Sequence, residues 1–176
     1  MKKTVSRKKK FPMIYVYIGI VVVLFGSIFA VSNMSPVNAL YDKKVNDLNP
    51  ATRAQLKDPN YQNIILPAEL DKKIADKEDF FVYMFSSSCI YCQYTTPQLV
   101  PLVQELGIDM PQFNLLEFPA YNNKMNINYT PTLLYFKDGV EVDRMESGIR
   151  EEGTDVGYTI DDFRAFFTKY SGAEAQ

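Results

Sequence analysis

Residues 80–85, FFVYMF, form an uninterrupted apolar run in the middle of the chain. A run of this length without polar alternation is typical of a strand that is buried on both faces of a sheet. Such a strand needs a covering layer on each side, and helices normally supply those layers. The run therefore restricts the chain to an α/β fold with a central sheet.

The segments around this run alternate between strand and helix patterns. In chain order they predict a strand at 63–66, a helix at 67–79, the strand at 80–85, a helix that ends near Gly107, a strand at 112–118, a short helix at 120–127, strands at 132–136 and 140–145, and a helix at 158–170. Asp138 and Gly139 predict a tight hairpin turn between the last two strands. This order predicts a mixed central sheet with helices on both faces.

The two cysteines of the chain, Cys89 and Cys92, lie between the buried strand and the next helix. A thiol at a helix N-terminus faces free N–H groups that lower its pKa, which makes Cys89 the predicted nucleophile. Cys92 lies one helical turn further along and is the predicted buried, resolving thiol.

Two other interpretations of this pair stay open. A zinc site usually takes four Cys or His ligands, and because the chain has no histidine it would need carboxylates or a second chain. A structural disulfide is also possible, although so short a loop constrains little of the unfolded chain. The spacing favours a redox pair, with no metal and no organic cofactor.

The N-terminus predicts a membrane anchor. Residues 1–10 carry six positive charges and no acid, and residues 11–31 carry no charge at all. A helix of 21 residues spans the hydrocarbon core of a bilayer, and the basic flank should remain cytoplasmic. The alternative is a signal peptide that is cleaved after Ala39, but the apolar run is longer than is usual for one.

The remainder of the chain predicts an acidic domain outside the cell. Beyond residue 31 lie 21 Asp and Glu and, after the six N-terminal cations, 13 of the 19 Lys and Arg, which gives a net charge of −8. This charge argues against nucleic acid as a partner. Residues 32–61 are expected to be an extracytoplasmic spacer with a short helix at Pro50, whose role is either to hold the domain off the membrane or to pack on it. Residues 62–171 are expected to be the domain and residues 172–176 a tail.

Residues 62–171 resemble the thioredoxin family. The resemblance rests on the C-x-x-C motif and on the stretch YTPTLLYFKDG, together with a proline inside the following helix and a glycine on the last strand: Cys89, Cys92, Pro97, Pro131 and Gly148. It implies a thioredoxin-like fold and thiol–disulfide oxidoreductase activity. It also implies that the Thr130–Pro131 peptide bond is cis and that a client peptide pairs with the Thr130 backbone.

The sequence departs from the family pattern at four places. The Ile90–Tyr91 dipeptide between the cysteines is neither the Gly-Pro of thioredoxins nor the Pro-His of strong periplasmic oxidases. Ser86, Ser87 and Ser88 stand where a tryptophan often precedes the first cysteine. Tyr83 replaces the buried acid that is thought to assist deprotonation of the second thiol. Pro101 is a second proline in the helix after the cysteines, and because interior prolines cost about 3 kcal/mol we expect a kinked or broken helix.

An anchor followed by such a domain resembles membrane-anchored extracytoplasmic thioredoxin-like proteins of Gram-positive bacteria, some of which accompany bacteriocin export. This resemblance implies exported, cysteine-containing clients and a redox partner protein. An exported location favours oxidation of clients over reduction. The alternative function is a non-catalytic binding or chaperone module that uses the peptide groove.

Overall fold

The structure, a computed structural model, describes residues 13–33 and 35–172. The chain divides after Pro36 into two compact units. In the first, helix α1 spans Met13–Asn33 and carries no charged residue. Its segment Met13–Val31 is long and apolar enough to cross a membrane by length and composition, a test that a signal sequence near the N-terminus also passes. The predicted basic flank at 1–10 and most of the predicted tail lie outside the described residues.

The second unit is the α/β domain. Its elements are β1 Val37–Asn38, β2 Lys43–Lys44, a 3₁₀ turn at Val45–Asp47, α2 Pro50–Gln55, a 3₁₀ turn at Pro59–Tyr61, α3 Pro67–Ala75, β3 Phe80–Phe85, α4 Ile90–Glu105, β4 Gln112–Asn114, α5 Ala120–Lys124, β5 Thr132–Lys137, β6 Val140–Glu146 and α6 Ile160–Ser171. Strands β1 and β2 form a small antiparallel pair of their own.

The central sheet has the strand order β4-β3-β5-β6. Strand β3 runs parallel to β4 and antiparallel to β5, and β5 runs antiparallel to β6, so the prediction of a mixed sheet is confirmed. All six side chains of β3 are buried, as the apolar run predicted. One face of the sheet packs on α4 and α6 through residues such as Leu99 and Phe163. The other face packs on α3 and α5 through Leu70 and Tyr121.

Two predicted strands are shorter in the structure. The strand expected at 63–66 is reduced to a single parallel bridge between Ile64 and Gln112, because Pro67 begins α3 directly after it. The strand expected at 112–118 ends at Asn114, where the chain turns and Asn114 accepts hydrogen bonds from the backbone N–H groups of Glu117 and Phe118. The Asp138–Gly139 hairpin is confirmed, with φ angles of 52° and 73°.

Helix α4 is continuous through both of its prolines. We expected a kinked or broken helix, and the expectation of a break is wrong. Pro97 and Pro101 lie four residues apart and are both exposed, so the helix loses two backbone hydrogen bonds on its solvent side. The opposite side is held by Leu99, Leu102 and Val103, which are buried in the core.

Residues 37–61, which we expected to be a spacer, are part of the folded domain. Tyr41, Leu48 and Tyr61 are each only 3% exposed. The short helix predicted at Pro50 is present as α2, and the Asn49 side chain caps it by accepting from the Ala51 N–H. Glu117 in the domain anchors this segment, because its carboxylate accepts from the Asn49 N–H and from the Lys43 ammonium.

Candidate active site

Cys89 stands at the exact junction of a turn and a helix. After β3, a turn closes with the Cys89 N–H donating to the Ser86 carbonyl at 3.0 Å. Cys89 is the N-cap of α4, and its sulfur accepts from the Cys92 N–H at 3.4 Å. Its sulfur lies 3.3 Å from the Thr130 carbonyl oxygen, to which it donates in its protonated form. Both cysteines are free thiols, and Cys89 is half-buried whereas Cys92 is buried.

The surroundings of Cys89 favour its thiolate. The pKa of Cys89 is lowered to about 5, chiefly by the hydrogen bond with the Cys92 side chain. Partial burial opposes this effect, while the Thr130 side chain and the backbone N–H groups of Cys92 and Tyr91 add to the lowering of the pKa. Donors at a helix N-terminus are the expected source of such stabilisation. Cys89 is therefore ionised and accessible at neutral pH.

The surroundings of Cys92 favour its protonated form instead. Its side chain is 0% exposed, and burial raises the pKa of Cys92 far above the usual value for a thiol, with the Cys89 sulfur as the next cause. Because desolvation disfavours the charged form, this sulfur holds its proton.

Tyr83, at the place of the expected acid, lies in the same core cluster as Cys92. Its hydroxyl is 3.2 Å from Thr96 Oγ1, which itself donates to the Cys92 carbonyl at 2.7 Å. Burial raises the pKa of Tyr83 well above its usual value, so the phenol stays neutral. Tyr83 therefore cannot accept a proton from Cys92 as a carboxylate would.

Thr130 and Pro131 complete the set of predicted site residues. Their peptide bond is cis, the isomer that the resemblance implied. Thr130 is half-buried and contacts the Cys89 thiol through its carbonyl, and Pro131 is buried behind it. The structure thus brings Cys89, Cys92 and Thr130 into direct contact, with Pro131 next in the chain.

Gly148 lies directly behind this loop. A Cβ at this position would stand 2.2 Å from Thr95 Oγ1 and 3.1 Å from Pro131 Cγ, which are closer than van der Waals contact allows. Thr95 is buried, and its hydroxyl accepts from the Ile149 N–H at 2.9 Å. A side chain here would therefore push apart α4 and the Pro131 loop.

A groove of about 420 Å³ opens beside Thr130. Exposed apolar side chains lie along it, namely those of Tyr91, Tyr129 and Val156, which are 54%, 65% and 76% exposed. An apolar groove bordered by polar backbone suits an extended peptide. The arrangement can form a mixed disulfide at Cys89 with a peptide that occupies this groove.

Sequence reasoning missed a buried polar network next to Cys89. Ser87, two residues before it, is joined to Thr52 in α2 and to Asn114 at the end of β4. All three side chains are 0% exposed. No pattern in the sequence pointed to Thr52 or Asn114, because isolated polar residues of this kind are usually exposed.

The sheet order, the helices on both faces and a cysteine pair at the start of α4 define a thioredoxin-like α/β fold. The thioredoxin family profile matches residues 62–155, which is more than half of the chain. The chain belongs to the thioredoxin family.

Several solved structures are similar to this chain. Thioredoxin from Plasmodium falciparum is 21% identical, with 60% of this chain and 94% of that chain covered and a TM-score of 0.50. Thioredoxin from Fasciola hepatica is also 21% identical, covering 59% and 93%, with a TM-score of 0.48. Mitochondrial thioredoxin 3 from Saccharomyces cerevisiae is 17% identical, covering 62% and 98%, with a TM-score of 0.49.

Proposed function

We propose that this protein is a thiol–disulfide oxidoreductase in which Cys89 exchanges with client cysteines and Cys92 resolves the mixed disulfide. The observation that carries the proposal is the asymmetry of the pair. Cys89 is accessible, with a pKa of about 5, whereas Cys92 is fully buried and its pKa is raised. Such a difference separates the sulfur that meets the client from the sulfur that does not.

In the oxidising direction, a client thiolate attacks the Cys89 sulfur of the Cys89–Cys92 disulfide. The bond between the two cysteines breaks, and Cys92 leaves with the electron pair and takes up a proton because its pKa is raised. A second client thiolate then attacks the client sulfur of the mixed disulfide, and Cys89 leaves as a thiolate. The client loses two electrons, and the cysteine pair gains them.

The pKa of Cys89 supports oxidation of clients over their reduction. A stabilised thiolate favours the reduced form of the pair, which makes its disulfide a stronger oxidant. It also makes Cys89 a good leaving group in the second step. A partner protein must then reoxidise the pair, because the reaction leaves two free cysteines.

Location completes the proposal. We place α1 in the membrane, residues 1–10 in the cytoplasm and the domain outside, where disulfides persist. The apolar segment Met13–Val31 and the six cations before it support this orientation. The clients are then exported polypeptides with cysteines, bound through Thr130 and Pro131 in the groove beside Cys89.

The test is a trapping experiment in cells. Cys92→Ala should accumulate mixed disulfides, because its Cys89 thiolate still attacks client disulfides, which reverses the last step above, and no Cys92 remains to displace the client. Cys89→Ala should accumulate none. The adducts are measured by non-reducing electrophoresis and mass spectrometry of the bonded peptides. Equal adduct yields from the two variants would contradict the assigned roles. Client binding without any disulfide adduct would support a binding module instead.

A further inference from the structure

Helix α2 lies before the family match at 62–155 but contacts the turn that presents Cys89. Its residues Thr52 and Gln55, one helical turn apart, both reach Ser87. Residues three apart share one face of a helix, so α2 directs a single face at this turn. Ser87 is the second residue of the turn that runs from Ser86 to Cys89.

The Ser87 side chain is held from two elements. Thr52 Oγ1 donates to Ser87 Oγ at 3.1 Å, and Asn114 Nδ2 donates to the same oxygen at 2.8 Å. Asn114 Nδ2 also lies 3.2 Å from Thr52 Oγ1 and 3.1 Å from the Tyr41 hydroxyl. Hydrogen bonds among fully buried groups fix geometry strongly, because an unpaired partner costs about 1–3 kcal/mol.

The Ser87 backbone is held as well. Its carbonyl accepts from Gln93 Nε2 at 2.8 Å and from Gln55 Nε2 at 3.4 Å. Gln93 belongs to α4, so the turn is fastened to the helix that it begins and to α2. The conformation of the turn therefore depends on a helix that the family match does not include.

We propose that α2 braces the Cys89 turn, and that Thr52 and Gln55 are positioning residues that keep the Cys89 sulfur over the N-terminus of α4. The inference rests on the proposed function, since it concerns the reactivity of the same thiol. The sulfur accepts from the Cys92 N–H at 3.4 Å, an ordinary distance for a hydrogen bond to sulfur. A small relaxation of the turn would weaken this contact and with it the stabilisation of the thiolate.

The first experiment uses Thr52→Val, which keeps the shape of the side chain and removes its hydroxyl. We expect the ionisation constant of Cys89 to fall about tenfold, so that alkylation slows about fivefold at pH 5 and is unchanged at pH 8. The measurement is the rate of Cys89 alkylation against pH, with thiolate absorbance as a second readout. Thr52→Ser, which retains the hydroxyl, should restore the parent pH profile.

Tyr121→Phe is the matched control for stability. It removes a partly buried hydroxyl that donates to the Pro67 carbonyl on the opposite face of the sheet and accepts from the Lys124 ammonium. We expect it to lower the melting temperature without moving the pH profile of Cys89. Thr52→Val with a lowered melting temperature and an unmoved pH profile would overturn the brace.

Gln55→Met keeps the proposal testable if Thr52→Val does not fold. This change at a half-buried position removes the donor to the Ser87 carbonyl, together with a buried amide oxygen that has no hydrogen-bond partner among the described residues. We expect a shift of the pH profile in the same direction. An unmoved profile in the folded variant would overturn the inference. If the parent protein showed no Cys89 thiolate near pH 6, the proposed function would be wrong. A parent thiolate whose pH profile is the same in the variants would overturn only the inference about α2.

Discussion

The midpoint reduction potential of the Cys89–Cys92 pair should depend only weakly on pH around neutrality. At pH 7 the reduced pair holds one proton, on Cys92, because the pKa of Cys89 is about 5 and that of Cys92 is raised. A two-electron couple shifts by about 30 mV for each tenfold change in its equilibrium constant. With one proton taken up, the potential should fall by about 30 mV per pH unit between pH 6 and 8. Below pH 5 two protons are taken up, and the slope should rise to about 59 mV.

The ionisation of Cys89 also sets how far the reduction potential of the pair is shifted at pH 7. A pKa of about 5, against about 8.5 for a free thiol, stabilises the reduced pair by up to about 2.7 kcal/mol, which corresponds to about 60 mV. Cys89 is partly exposed, and solvent screening reduces such a stabilisation. We therefore expect the pair to be about 30–60 mV more oxidising than a pair with an unperturbed nucleophile.

The assay equilibrates the domain in thiol–disulfide buffers of known potential from pH 4.5 to 8. Acid quenching, alkylation and mass spectrometry then give the oxidised fraction at each potential. Thr52→Val provides an internal comparison, since its break in slope should lie at a higher pH. A uniform slope of about 59 mV per pH unit from pH 5.5 to 8 in the parent would refute the assignment of a low pKa to Cys89.

Two further outcomes follow from the geometry of the site. In the reduced domain at pH 6, Cys89 should be alkylated because it is accessible and ionised, and Cys92 should not because it is buried and protonated. Peptide mapping of the adducts checks this, and labelling of Cys92 first would reverse the assigned roles. Gly148→Ala should destabilise the domain by about 1–3 kcal/mol, because its Cβ would lie 2.2 Å from Thr95 Oγ1. Thermal unfolding measures this loss of stability, and an unchanged melting temperature would contradict the close packing behind Pro131.

Apolar periodicity and turn chemistry predicted most of the domain. The run at 80–85 indicated a strand buried on both faces, and β3 is the second strand of the four-stranded sheet, with both faces covered. Asp138 and Gly139 indicated their hairpin because few residues adopt positive φ readily. Both features are determined by residues that are adjacent in the chain, so the sequence was sufficient to predict them.

Contacts between distant segments were not predictable in the same way. The continuity of α4 depends on which side of the helix its prolines occupy, and that is decided by the core beneath Leu99 and Leu102. The burial of Thr52 depends on Ser87 and Asn114, which lie 35 and 62 residues further along the chain. A single polar residue carries no local sign of such partners.

The candidate site combines features that neighbouring residues predict with contacts between distant segments. The spacing of Cys89 and Cys92 and the helix after them were sufficient to predict Cys89 as the nucleophile, and the structure places its sulfur at the N-terminus of that helix. The departure at Tyr83 was also visible in the sequence, but its consequence required the structure, which shows a neutral phenol bonded to Thr96 rather than to a sulfur.

The folded domain begins at Val37, whereas the family match begins 25 residues later, at residue 62. The family profile therefore covers less of the chain than the compact unit that residues from Val37 onwards form. A chimera joined to a relative at residue 62 would carry the cysteine pair without Tyr41 and Leu48, which are both buried in this domain. It would also separate Glu117 from both Lys43 and Asn49. Exchange of this domain between proteins should thus succeed only at a junction before Val37.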